Sequence, residues 1–269
     1  MMGSGLKVGI VGLPNVGKST LFNALLKRQV AEAANYPFTT IEPNVGIVPV
    51  PDGRLERLAQ IIEKEEGVRP PLVPATVQFV DIAGLVKGAS EGEGLGNKFL
   101  SHIREVDLIV NVLREFEDAS VVHVVGSVDP GRDQEIIQTE LLLADLQTLT
   151  KSKTQNDVTK RCIDALNRGI PARDVALSDE EKKIARDFQM LTMKPVLLMH
   201  NVDEQHITEG EPLTICAKIE AELSLLSEEE QKEYLKELGL SASGLDRLIQ
   251  KAYQMLGLIS FLTCGIKEV

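Results

Sequence analysis

The stretch Gly12-Leu-Pro-Asn-Val-Gly17-Lys18-Ser19 has the glycine spacing and the Lys-Ser ending of a phosphate-binding loop. It follows an apolar run over residues 6–11 and precedes a helical pattern over residues 20–26. In this order of strand, loop and helix, backbone N–H groups and the helix N-terminus can surround a phosphate. Lys18 can reach the β- and γ-phosphates, and the Ser19 hydroxyl can ligate Mg²⁺. The sequence therefore predicts binding of a nucleoside triphosphate.

The composition is that of a globular protein, with 43% hydrophobic and 26% charged residues among 269. There is no long apolar run and no signal-peptide core, so we expect no membrane association and a cytoplasmic location. Cys162, Cys216 and Cys264 match no metal spacing and are expected to be free thiols. The net charge of −11 argues against a generally basic nucleic-acid-binding surface. A local basic excess over residues 151–173 is either a solvated helix face or a contact for RNA phosphates.

Six short apolar segments have the length and pattern of strands, and helical patterns separate most of them. This alternation predicts an α/β fold with a mostly parallel sheet and helices on both faces. The predicted strands cover residues 6–11, 45–50, 76–80, 108–113, 196–199 and 213–216.

Between residues 113 and 196 lie some eighty residues of largely helical pattern, where a simple nucleotide-binding domain needs one helix. Apolar residues recur at helical spacing over 133–153 and 156–168, and Ser178 with Glu181 forms a capping box. We expect an antiparallel helical hairpin, inserted as residues 121–191. The nucleotide-binding domain then comprises residues 1–120 and 192–269.

Asp81-Ile-Ala-Gly84 follows the predicted strand 76–80 and extends the phosphate site. An Asp at this position can hold Mg²⁺ through water, and the Gly84 N–H can sense the γ-phosphate. The segment from Tyr36 to Pro43 carries Thr40, whose hydroxyl completes Mg²⁺ coordination when the γ-phosphate is present. The expected metal ligands are therefore Ser19, Thr40 and, through water, Asp81.

The loop Asn201-Val202-Asp203-Glu204 stands where a guanine site requires Asn-Lys-x-Asp. The lysine is replaced by valine and the final aspartate by glutamate, which weakens guanine selection and favours adenine. Asn201 can bond adenine through N7 and the N6 amino group. Asp203 leaves the choice between adenine and guanine open. If the loop were shifted by one residue relative to the usual motif, its carboxylate would face the base. The sequence Cys216-Ala217-Lys218 fits the loop that closes over the base.

Leu85 stands where many GTPases have a water-positioning glutamine, and leucine cannot orient water. His102, on the next predicted helix, is either a water-orienting group or an ordinary helix residue. Asn15 is a candidate to help hold K⁺ near the phosphates.

Three motifs together resemble the Obg-related class of P-loop NTPases: Gly12–Thr20, Tyr36–Asn44 and Asp81–Ala89. Gly94–His102, Gly126–Pro130 and the loop from Asn201 are similar to the YchF subfamily, the Obg-like ATPases. The resemblance implies a Ras-like G domain with a helical insert and an ATP-preferring hydrolase that binds GTP more weakly. It also implies association with the ribosome or its large subunit, in translation or stress regulation.

The resemblance also implies roles for those residues of this chain that match the family's motifs. It gives His102 a catalytic role and places Asn201, Val202 and Glu204 around the base. From the residues themselves, we add Gly84 to the catalytic group and Ala217 and Lys218 to the base loop. The phosphate contacts are assigned to Asn15, Val16, Gly17, Lys18, Ser19 and Thr20. Since the family continues into a C-terminal TGS domain and this sequence ends at Val269, we expect that domain to be absent.

We further expect a monomer. Two alternatives to the ATPase remain, an Obg-type GTPase switch and a nucleotide-gated binding module with negligible turnover.

Overall fold

A computed structural model of the chain describes residues 6–33, 44–82, 95–118, 121, 123 and 126–269. The strands are β1 (Lys7–Val11), β2 (Val45–Pro49), β3 (Thr76–Asp81), β4 (Leu108–Arg114), β5 (Val196–Asn201) and β6 (Leu213–Ile215). The helices are α1 (Lys18–Ala33), α2 (Gly53–Glu66), α3 (Leu95–Arg104), α4 (Pro130–Lys151), α5 (Asp157–Asn167), α6 (Asp179–Arg186), α7 (Ala217–Leu223), α8 (Glu228–Glu237) and α9 (Gly244–Met255).

The described strands form one sheet in the order β2-β3-β1-β4-β5-β6, and among these strands only the β2–β3 pair is antiparallel. The predicted mostly parallel sheet is therefore confirmed. The carboxyl ends of parallel strands share one edge of the sheet, where ligands bind in folds of this kind. Ile10 of β1 pairs with Asp81 of β3, which brings the start of the glycine-rich loop beside that carboxylate.

The sheet is the centre of the main apolar core. All seven residues of β4 are buried, as expected for a central parallel strand. Helix α4 packs against the sheet through Ile137 and Leu141, which belong to the same cluster as Val110 and Leu197.

The helices α4, α5 and α6 build a second apolar cluster outside the sheet, which includes Leu149, Val158 and Cys162. Side-chain caps mark where all three begin, and at α4 the Asp129 carboxylate accepts from the N–H of Arg132. Asn156 and Thr159 form a capping box at α5, and the predicted box of Ser178 and Glu181 caps α6. Since α4 contributes to both clusters, the helical segment packs directly on the sheet. Its division as residues 121–191 stays a prediction.

The connection between β5 and β6 is unusually short for two parallel strands. It covers residues 202–212 and contains only a 3₁₀ turn, Glu204–His206, where such crossovers usually carry a helix. The turn therefore lies directly between the end of β5 and the start of the last strand.

In the part of the chain that the structure describes, no helix is both long and apolar enough to cross a membrane. The three cysteines are free, with Cys162 and Cys216 buried and Cys264 exposed.

Candidate nucleotide-binding site

The glycine-rich loop runs from the end of β1 to the first residue of α1 and contains residues with positive φ, among them Asn15 and Gly17. Asn15 has φ = 64° and Gly17 has φ = 94°. Asparagine tolerates this region better than most residues, and glycine adopts it at no steric cost. A Cβ atom on Gly17 would lie 2.2 Å from Nδ2 of Asn201, so the position also lacks room for a side chain.

Lys18 lies inside the curve of this loop. Its Nζ donates hydrogen bonds to the carbonyl oxygens of Gly12, at 2.9 Å, and Leu13, at 2.8 Å. Burial lowers the pKa of Lys18 from 10.5 to about 8, and the Asp81 carboxylate offsets part of that shift. The ammonium group is therefore already at the position from which a bound phosphate can be reached.

The buried Lys18 predicts a pH-dependent stability for the protein without nucleotide. Because the folded-state pKa is lowered, the unfolded chain binds more protons between pH 8 and 10.5, and stability rises with pH across that window. The expected gain from this one group is about 3 kcal/mol. Urea unfolding of the wild type and of Lys18→Met at pH 7.5, 9 and 10.5 measures it. The difference between the two proteins should shift in favour of the wild type as pH rises, and a constant difference would contradict the assignment.

Two other side chains fix the neighbouring carbonyl groups of the loop. Asn201, at the end of β5, donates from Nδ2 to the carbonyl of Val16 at 2.9 Å. Arg114, at the end of β4, donates to the carbonyl of Asn15 at 3.3 Å. The C=O and N–H groups of a trans peptide point in opposite directions. Because these carbonyls are bonded to Asn201 and Arg114, the N–H groups of the same peptides point the other way, where they can bind an anion.

Ser19, Thr20 and Asp81 supply oxygen atoms at the same edge. The two hydroxyl residues are exposed in the first turn of α1. Asp81 is half-buried at the end of β3, where burial raises the pKa of its carboxyl and the nearby Lys18 opposes that rise. Hydroxyl and carboxylate oxygens suit Mg²⁺, which takes one or two carboxylates together with substrate phosphates. Thr40 and Gly84 lie outside the described residues.

The loop predicted to surround the base is held by Asn201. Its Oδ1 accepts from the N–H of Ala217 at 3.0 Å, while its Nδ2 bonds the phosphate loop. The side chain is 3% exposed, so its observed role is to join the phosphate loop, the end of β5 and the start of α7. Its predicted bonds to the adenine ring stay a prediction.

The other predicted base residues differ in exposure. Val202 is buried and donates its N–H to the carbonyl of Ile215, whereas Glu204 and Lys218 are exposed. Burial raises the pKa of the Cys216 thiol, the backbone N–H groups of Ile219 and Lys218 oppose that rise, and the Glu204 carboxylate adds to it. Asp203 bonds Nδ1 of His206 at 2.5 Å within its own turn.

His102 is exposed in the last turn of α3. Within the described ranges, no hydrogen bond joins its side chain to the phosphate loop. Its predicted catalytic role therefore stays a prediction.

Sequence reasoning missed Arg114. The signal was available, because this arginine ends an otherwise uncharged strand, Leu-Ile-Val-Asn-Val-Leu-Arg. A charge at the carboxyl end of a buried strand next to a phosphate loop indicates a role at that edge of the sheet.

The family model described as "50S ribosome-binding GTPase" matches residues 7–234. The proteins named ribosome-binding ATPase YchF from Bacillus subtilis and from Escherichia coli O157:H7 are each 44% identical to this chain. Each alignment covers 98% of this chain and 80% of the relative.

A solved structure of the YchF GTPase of Schizosaccharomyces pombe superposes with a TM-score of 0.82 at 36% identity. The superposition covers 100% of this chain and 80% of the Schizosaccharomyces pombe chain. Together with the phosphate loop described above, these similarities show that the chain belongs to the YchF family of P-loop nucleotide-binding proteins.

Proposed function

We propose that this chain binds ATP with Mg²⁺, hydrolyses it slowly and uses the nucleotide state as a switch. One observation carries the proposal. The loop carbonyls are bonded to Lys18, Arg114 and Asn201, while Ser19 and Asp81 lie beside the loop at the same edge of the sheet. A loop organised in this way needs little rearrangement to receive phosphates, which favours binding. The relatives are named as an ATPase and a GTPase, and both names describe triphosphate hydrolysis.

For the base we propose ATP over GTP. The relatives' names differ on this point, so the proposal depends on the residues of this chain. Glu204 replaces the aspartate that would pair with guanine N1 and N2, and no lysine precedes it in the loop. Asp203, the other carboxylate that could approach the base, is bonded to His206.

Mg²⁺ would be held by Ser19 and Thr40 directly and by Asp81 through a water. When bound, it neutralises charge on the β- and γ-phosphates. The part of the chain that the structure describes has no cluster of three or more His, Cys, Asp or Glu side chains suited to a metal. Few carboxylates are expected at a magnesium site that depends on substrate phosphates.

We also propose that the exposed Asn15 helps hold K⁺ beside the phosphates.

For hydrolysis we propose that His102 orients water, since Leu85 cannot. The change His102→Ala should lower kcat roughly 100-fold, with ATP affinity within about twofold of the wild type. Release of phosphate under multiple turnover measures kcat, and fluorescence titration measures affinity. Ser101→Ala, at the neighbouring exposed position of the same helix, is the matched control and should keep both values. Wild-type turnover in His102→Ala would remove the histidine from the mechanism.

As a partner we propose the large ribosomal subunit, with the chain acting as a monomer in the cytoplasm in translation or stress regulation. The support is the wording of the family model and the names of the relatives. Co-sedimentation of the chain with purified large subunits, in a non-hydrolysable ATP analogue or in ADP, tests it. Binding that differs between the two nucleotides supports a switch, and no binding in either overturns this part of the proposal.

The hydrolase itself is tested by phosphate release from ATP and GTP in Mg²⁺, with EDTA as the control. Turnover of ATP that stops in EDTA is expected. Stoichiometric ATP binding without turnover would favour the nucleotide-gated binding module, and faster turnover of GTP at equal saturation would favour the Obg-type GTPase.

A further inference from the structure

Arg114 is a buried charge whose hydrogen bonds extend beyond the phosphate loop, to residues that the proposed chemistry does not use. The residue is 2% exposed and stands at the end of β4, next to the phosphate loop. Removing a guanidinium from water is costly unless its donors find acceptors. What Arg114 bonds therefore indicates what keeps it there.

All three of its described hydrogen bonds go to main-chain carbonyls. One reaches Asn15 at 3.3 Å, and the others reach Phe116 at 3.1 Å and Asp118 at 3.5 Å. The guanidinium also stacks on the Phe116 ring, with 4.4 Å between its central carbon and the ring centroid. Because the acceptors are carbonyls, the bonds respond to the position of the backbone.

The bond to Asn15 orients the phosphate loop. In a planar trans peptide the C=O and N–H groups point in opposite directions. A carbonyl of Asn15 directed at Arg114 therefore aims the N–H of Val16 away from the guanidinium. Asn201 acts in the same way on the following peptide through the carbonyl of Val16.

The other two bonds belong to a different part of the molecule. Phe116 and Asp118 lie directly after β4, at the start of the connection to α4 (Pro130–Lys151). Helix α4 in turn packs on the sheet and forms the second apolar cluster with α5 and α6. One guanidinium thus joins the phosphate loop to the first residues of the segment that leads to these helices.

We propose that Arg114 is a positioning residue that fixes the Asn15 peptide for phosphate binding and transmits nucleotide binding to residues 116–118, at the base of the helical segment. This inference rests on the proposed nucleotide binding and names the residues through which that binding affects the start of the helical segment. Arg114 acts through the backbone and need not touch the nucleotide.

The first measurement uses the wild-type chain. Hydrogen exchange of the amides of residues 116–118 is followed with no nucleotide, with ADP and with ATP, each with Mg²⁺. Nucleotide should slow exchange at these amides at least about threefold if the link exists, because ordering the loop also orders the guanidinium. Calorimetric binding without any change in exchange at residues 116–118 would overturn the proposal while leaving nucleotide binding intact. Absence of any binding would instead overturn the proposed function.

The second measurement compares variants. Arg114→Gln should weaken ATP and ADP alike, roughly tenfold or about 1.4 kcal/mol, and should abolish the nucleotide effect on exchange. Arg114→Lys keeps the charge with a single donor group and should recover part of the affinity. The matched control is Arg247→Gln, because Arg247 also donates to two main-chain carbonyls, those of Thr208 and Thr214, away from the phosphate loop.

The control should keep wild-type affinity and wild-type protection of residues 116–118. Equal losses in Arg114→Gln and Arg247→Gln would mean a general stability effect and would overturn the proposal. So would wild-type affinity together with wild-type protection in Arg114→Gln.

Discussion

Replacing Lys18 by alanine should abolish triphosphate binding, with ATP affinity reduced roughly 100-fold or more, about 2.7 kcal/mol. The change removes the ammonium group inside the loop together with its bonds to Gly12 and Leu13. Charge-assisted bonds to phosphate are among the strongest that a side chain makes. Titration with a fluorescent ATP analogue, confirmed by calorimetry, measures the loss.

The matched control is Lys27→Ala, since Lys27 is an exposed lysine on the same helix. It removes the same charge and should leave ATP affinity unchanged. Equal affinity of Lys18→Ala and the wild type would mean that the glycine-rich loop is not the phosphate site.

Replacing Gly17 by alanine should have the second largest effect, again roughly 100-fold or more on ATP affinity. The added methyl group would meet Nδ2 of Asn201 at 2.2 Å on a backbone with φ = 94°. Either the loop leaves its left-handed conformation or Asn201 gives up its bond to Val16, and both disturb the N–H groups that face the phosphate. The urea midpoint should fall as well, because both changes strain the free protein.

Gly53→Ala is the control for this substitution. A Cβ at Gly53 meets nothing within 4 Å, and the residue begins α2, where alanine is a good helix former. ATP affinity should stay at the wild-type value, and stability should be equal or slightly higher. Unaltered ATP binding by Gly17→Ala would show that the close contact with Asn201 is not required.

Much of this fold could be predicted because its signals are local. Strand β1, the loop and α1 are contiguous, so glycine spacing, an apolar run and a helical pattern identified them together. The capping box of Ser178 and Glu181 marked the start of α6 to the residue, because side-chain oxygens satisfy the first N–H groups of a helix. The antiparallel edge strand β2 was found as a strand, but its direction depends on pairing with β3 and is not readable from residues 45–49 alone.

The role of Asn201 in joining two loops could not be predicted from local signals. Asn201 meets Val16 across 185 residues of chain, and the contact exists only because β5 ends beside the loop. The base contacts that the motif predicts for Asn201 stay a prediction, and the structure shows that its side chain joins the phosphate loop to the start of α7. The short β5–β6 connection could not be predicted to be unusual, because a crossover without a helix has the sequence pattern of an ordinary loop. The alignments with the relatives extend over more positions than this chain has residues, so those proteins carry residues that this chain lacks.

The central claim, a phosphate loop that holds Mg–ATP in preference to Mg–GTP, is tested most directly by calorimetric titration of the nucleotide-free chain with each nucleotide. We expect one ATP bound per chain, with GTP at least about tenfold weaker, a difference of about 1.4 kcal/mol. In EDTA the affinity for ATP should fall, since Ser19 and Asp81 then lack the ion that they are proposed to hold. Binding of neither nucleotide, or GTP bound tenfold more tightly than ATP, would contradict the account.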